Sequence, residues 1–123
     1  MHLEEYQHKA MSTCMDSCDN FSYMMLNLVG EVGELASKVA KGIRKGHVNI
    51  EDCELCSPKE FLQENLVLDD ALKLEAGDIL WQLSGLCTAM GWKLEDIAQM
   101  NLNKLAARKQ AGTIDGDGDG ILR

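Results

Sequence analysis

The chain has 123 residues, enough for one compact domain with an apolar core and too few for two independently stable ones. It is 46% hydrophobic and 26% charged with a single proline, a balance that suits helices better than a turn-rich β fold. A formal charge of −8 excludes a broad nucleic-acid footprint, which needs surplus Lys and Arg, and no apolar run is long enough to span a bilayer.

In chain order, residues 3–14 mix charged and apolar positions as a short helix would. The Asp19-Asn20 pair offers an N-cap for a long amphipathic helix in which Phe21, Met25, Leu28, Val32, Leu35 and Val39 alternate spacings of four and three. That helix should end near Lys45 and Gly46, basic residues followed by a C-capping glycine. Residues 47–67 break the pattern, and Ser57-Pro58-Lys59-Glu60 looks like the start of a short helix within a connector. Asp69 or Asp70 then caps a third helix lined by Leu72, Ala76, Ile79, Leu83, Leu86 and Met90 and closed by Gly91. A fourth runs from about Lys93 to Lys109, with Leu94, Ala98, Leu102 and Leu105 as its apolar line. The expected architecture is all-α, a single domain resembling a four-helix bundle over residues 1–112, followed by a flexible Gly/Asp-rich tail at 113–123.

Two acidic motifs carry the chemistry: Gly30-Glu31-Val32-Gly33-Glu34 and Glu75-Ala76-Gly77-Asp78. Each is an acid pair at i, i+3, so on a helix its two carboxylates stand about 60° apart around the axis and about 4.5 Å apart along it. Taken about Leu28 and Ile79, both acidic lines flank an apolar stripe, with Asn27 and Lys38 continuing one and Gln82 the other. They converge only if the two helices pack antiparallel. Carboxylates gathered in this way repel by roughly 4 kcal/mol per pair at 4 Å and an effective dielectric of 20. A hard cation with oxygen ligands, such as Mg²⁺, would relieve that repulsion, while two solvated helix faces would never create it. Gly33 and Gly77 each cost a helix interior about 1 kcal/mol relative to Ala, which suggests the close approach of a neighbour or ligand.

The segments L-V-G-E-V-G-E-L-A-S-K-V at 28–39, E-A-G-D-I-L-W-Q-L at 75–83 and L-E-D-I-A-Q-M-N-L-N-K-L-A-A-R at 94–108 resemble the MazG-like nucleotide pyrophosphohydrolases of the all-α NTP pyrophosphatase superfamily. The resemblance implies hydrolysis of a nucleoside triphosphate to the monophosphate and pyrophosphate, with Glu31, Glu34, Glu75 and Asp78 as catalytic ligands of Mg²⁺ or Mn²⁺. It also implies phosphate contacts from Asn101, Lys104 and Arg108, and from Lys38, and assembly as a homodimer or homotetramer with sites completed near subunit interfaces. The stretch between the two acidic motifs is longer than in typical members and contains Cys53, Cys56 and Pro58, a departure that bears on substrate and assembly more than on the metal.

The remaining features read more simply. Met-His-Leu-Glu-Glu at the start lacks the layout of a signal peptide, and five cysteines without secretory context point to reduced thiols in a cytoplasmic protein. Cys53-x-x-Cys56 with Cys14 and Cys18 makes a poor zinc site, and His2, His8 and His47 form no cluster. Asp115, Asp117 and Asp119 begin a calcium-loop pattern that lacks its closing Glu. Trp81 and Trp92 suit core or interface positions better than a base-stacking role. Two other functions fit the same residues: a non-catalytic, metal-stabilised helical oligomerisation protein, and a phosphoribosyl-ATP pyrophosphohydrolase.

Overall fold

A computed structural model describes residues 1–46, 50–51, 54–55 and 63–114, with side chains placed over 1–46 and 68–114. Four helices dominate: α1 (Leu3–Met11), α2 (Phe21–Arg44), α3 (Gln63–Ala89) and α4 (Leu94–Ala111). A short 3-10 turn, Asp16–Cys18, joins α1 to α2. In the connector, β1 (Ile50–Glu51) and β2 (Glu54–Leu55) form a two-residue antiparallel pair with Ile50 opposite Leu55. That pair was not expected from the sequence. The proposed short helix at 57–60 and the tail at 115–123 lie outside the described residues.

The helix ends follow local chemistry. Asn20 Oδ1 accepts the Tyr23 N–H at 2.8 Å, satisfying one of the four donors that the start of α2 leaves without an intrahelical partner. α3 ends in a Schellman turn in which Gly91, at φ 73°, lets the Trp92 N–H reach the Cys87 carbonyl at 2.7 Å. Its beginning departs from expectation. Asp69 and Asp70 lie inside the helix, which is already formed at Gln63, and Asp69 instead pairs with Lys73 one turn on at 2.9 Å. An aspartate signals a cap only when no helix former precedes it, and here Gln63-Glu64-Asn65-Leu66 continues the helix backwards.

α2 packs most extensively on α3, and α1 lies against α3 beside it. Three cross-helix contacts fix the direction: Met24 meets Gly85, Glu31 meets Asp78, and Lys38 meets Glu75. Positions rising along α2 meet positions falling along α3, so the two acid-bearing helices are antiparallel. A Cβ on Gly85 would collide with the Met24 thioether, and Met24 is fully buried, a placement that stabilises the fold by about 1.5–3 kcal/mol. Close approach therefore occurs at Gly85. At Gly33 and Gly77, where the sequence suggested it, an added Cβ would meet open space.

α4 meets α1 and α3 at fewer places. Gln7 of α1 ties it down. Its Oε1 accepts the Leu94 N–H at 2.8 Å, supplying the cap that Lys93 does not, while its Nε2 donates to Thr88 Oγ1 and the Trp92 carbonyl. Leu94 is buried, but Leu102 and Leu105 stay 60% and 40% exposed, so the expected apolar line of α4 covers the core only at its first turn. No helix of the described residues is long and apolar enough to cross a membrane.

Candidate metal centre

The face that α2 turns toward α3 is rotated from the stripe read in the sequence. At about 100° per residue, Met24, Leu28, Glu31, Leu35, Lys38 and Gly42 fall within roughly 80° of one another, and this sector meets α3. Phe21, Met25 and Val32 of the expected stripe are 51%, 38% and 49% exposed. The reason is that α2 is apolar on two sides. Periodicity finds both but does not say which one α3 covers. On α3 the corresponding sector holds Glu75, Asp78, Gln82 and Gly85. The acids consequently stand in the seam between the helices rather than beside it.

Glu31, Glu75 and Asp78 bring one carboxylate oxygen each to within 4.8 Å of one another. Glu31 and Glu75 are half-buried and Asp78 is exposed, so the group opens to solvent on one side. Burial, reinforced by the carboxylates of Asp78, Glu75 and Glu34, pushes the Glu31 pKa above its ordinary value. Both causes act against the charged form, burial by stripping its hydration and the neighbouring carboxylates by repelling it. Glu34, one turn along α2, is exposed and outside the close trio, though near enough to act on Glu31.

Two further groups border the trio. Lys38 Nζ lies 3.4 Å from Glu75 Oε1, with its side chain 40% exposed. Tyr6 of α1 faces Asp78, and burial together with that carboxylate pushes its phenol pKa up. Trp81 braces the same helix from behind: its indole N–H donates to the Ala10 carbonyl and Thr13 Oγ1 at 3.1 and 3.0 Å. Neither Tyr6 nor Gln7 was singled out in the sequence. Both act across α1–α3 contacts that no periodicity within one helix reports.

All-oxygen donors in a rigid, half-buried cradle fit a hard divalent cation, with solvent-side positions left for water and phosphate oxygens. Among the described residues no other group of three His, Cys, Asp or Glu meets the same closeness. Cys14, half-buried beside buried Cys18, has its thiol pKa raised by burial and by the neighbouring Asp19, the reverse of what metal ligation needs; Cys53 and Cys56 lie outside the described residues. The α4 residues are not gathered at the trio. Asn101 and Lys104 are exposed and joined to it by no ion pair among the described residues, and Arg108 is half-buried near the C-terminal end of α4.

Comparison with known proteins identifies the family. Residues 19–113 match the family model described as the MazG nucleotide pyrophosphohydrolase domain, a span that contains α2, α3, α4 and every carboxylate of the site. The chain is 36% identical over 126 residues to the "Gene 37 protein" of Mycobacterium phage L5, covering 97% of this chain and 98% of that one. No solved structure matches. The chain belongs to the MazG nucleotide pyrophosphohydrolase family.

Proposed function

We propose that this protein is a Mg²⁺-dependent nucleoside triphosphate pyrophosphohydrolase that cleaves NTP or dNTP to the monophosphate and pyrophosphate in the cytoplasm, as nucleotide-pool housekeeping. The observation that carries the reading is the trio Glu31, Glu75 and Asp78, three carboxylates from two antiparallel helices within 4.8 Å, in a chain of this family. Glu34 completes the ligand set from the exposed edge. When bound, Mg²⁺, or Mn²⁺ in its place, would neutralise phosphate charge and acidify a water. The protein's own residues do the rest. The trio and Glu34 fix where the charge sits, and one of these glutamates would take the proton from the attacking water. Lys38, at the edge of the trio, is within a side-chain swing of phosphate oxygens there.

Assembly belongs to the same reading. Leu26 and Val29 on the outer side of α2 are 76% and 69% exposed, and Met100 and Leu102 on α4 are 66% and 60% exposed. Exposed apolar surface of this extent supports a homodimer or homotetramer. Such an assembly would let Asn101, Lys104 and Arg108 of one copy serve the carboxylates of another. Residues 1–112 form the catalytic domain in this scheme, with 113–123 as its tail.

The test is direct. Purified protein incubated with Mg²⁺ and a panel of NTPs and dNTPs should release pyrophosphate and monophosphate from at least one of them, and release from none would sink the proposal. Including phosphoribosyl-ATP in the panel separates this reading from a phosphoribosyl-ATP pyrophosphohydrolase of the same superfamily. Metal-dependent melting without any hydrolysis would favour a structural oligomerisation role.

A further inference from the structure

Gln82 is 3% exposed, and its Oε1 is buried with no hydrogen-bond partner among the described residues. It lies on α3 one turn after Asp78 and, by helical rotation, between the directions of Asp78 and Glu75, so it points into the α2–α3 seam. Side chains on a helix lean toward its N-terminus. For Gln82 that direction leads back to the carboxylate layer. On its other side the seam is closed by Met24 against Gly85.

A buried amide oxygen needs a donor, and Gln82 Oε1 is paired with none of the described residues. Ionised Glu31, Glu75 and Asp78 only accept hydrogen bonds. Asn27, in the facing turn of α2, makes no bond to Gln82 Oε1; its own Oδ1 lies along its helix, 3.6 Å from the Cβ position of Gly30. An unpaired buried acceptor costs stability, and a helix position facing a tight seam could as well hold Leu or Met. The species that would bind the carboxylates and donate to the amide at once is a cation carrying its water.

We propose that Gln82 is a positioning residue of the metal centre: its Oε1 accepts a hydrogen bond from a water held by the divalent cation of Glu31, Glu75 and Asp78. The role rests on the metal-binding reading above and extends it to a residue that is not a carboxylate and does not touch the ion. Outer-shell acceptors of this kind orient the water and set its acidity, with losses of about 10- to 100-fold in affinity or activity when removed.

The experiment compares wild type, Gln82→Met and Gln82→Glu in the full-length protein, reading metal-free melting temperature and the dissociation constant for Mn²⁺ by electron paramagnetic resonance. Gln82→Met removes the stranded acceptor at similar length, so it should melt at or above the wild-type temperature without metal while binding Mn²⁺ roughly tenfold more weakly. Gln82→Glu keeps an accepting oxygen and should recover binding at least to the wild-type level. Unchanged Mn²⁺ affinity in Gln82→Met overturns the proposal and leaves Gln82 a frustrated core residue. Lower metal-free melting, or failure of Gln82→Met to fold, also overturns it, because the amide would then be serving the fold by donating to a carboxylate. Absence of Mn²⁺ binding in wild type would remove the metal reading itself, a result distinct from equal binding by wild type and Gln82→Met.

Discussion

The α2–α3 seam and helix α4 treat charge in opposite ways. In the seam, negative charge is concentrated, half-buried and held at fixed separations by two long helices locked together at Met24 and Gly85. On α4, Lys104 and the residues around it are solvated, and the helix is anchored mainly by its first turn through Leu94 and Gln7. The chain thus holds its clustered carboxylates rigidly and leaves Lys104 in solvent. Rigid placement is what a metal requires, since oxygen ligands must be held close against their own repulsion.

The contrast can be broken most severely at the seam. Asp78→Asn or Glu31→Gln removes a proposed ligand and should lower turnover by more than the roughly 100-fold that outer-shell losses reach, with helicity by circular dichroism unchanged. Full activity in both variants would refute the ligand assignment. Next is the lock that holds the seam: Gly85→Val drives a side chain into Met24 and should cost about 1–3 kcal/mol in urea unfolding, with much of it restored by adding Met24→Ala.

On α4 the expected effect is smaller and of another kind. Lys104→Ala should raise KM for the nucleotide about tenfold, the loss of one charge-assisted hydrogen bond, while leaving Mg²⁺ affinity unchanged. A change in Mg²⁺ affinity would show that α4 belongs to the metal centre after all. The smallest effect concerns Glu31 in the metal-free protein. Its pKa is raised on folding above the ordinary 4.5, so the folded state holds the proton more tightly than the unfolded one. Its contribution to stability is therefore unfavourable at neutral pH and recovers as pH falls through the raised pKa toward 4.5. Urea titrations of wild type against Glu31→Gln should show this slope in the first and its loss in the second. Saturating Mg²⁺ should reverse it, because protons then compete with the ion.

Much of this was legible in the sequence, and the rest was not for identifiable reasons. Asn20, Gly46, Gly91 and the acidic pairs are local signals, and both ends of α2 and the end of α3 followed from them, whereas α1, expected to reach residue 14, stops at Met11 and α3 starts earlier than its aspartates suggested. The convergence of Glu31 with Glu75 and Asp78 could be stated as conditional on antiparallel packing, because helical rotation relates residues within one element. How far the stripe of α2 is turned toward α3 was not legible: Leu28 and Leu35 of the expected stripe lie in the sector that meets α3, but Met24 completes it while Phe21, Met25 and Val32 stay exposed. Gly85 was missed because nothing near it marks its close contact, and at Gly33 and Gly77 no neighbouring protein atom makes the close approach that their place in the motifs suggested. Gln7 and Tyr6 work across helices, where a single sequence is silent.

The central claim is that Glu31, Glu75 and Asp78 hold a divalent cation in the α2–α3 seam. Crystals grown with Mn²⁺ and measured at its absorption edge test this most directly. The account predicts an anomalous peak between the three carboxylates, within about 2.0–2.4 Å of an oxygen from each, and its loss in Asp78→Asn. A well-ordered seam with no peak there, in protein that still hydrolyses nucleotide, would contradict it.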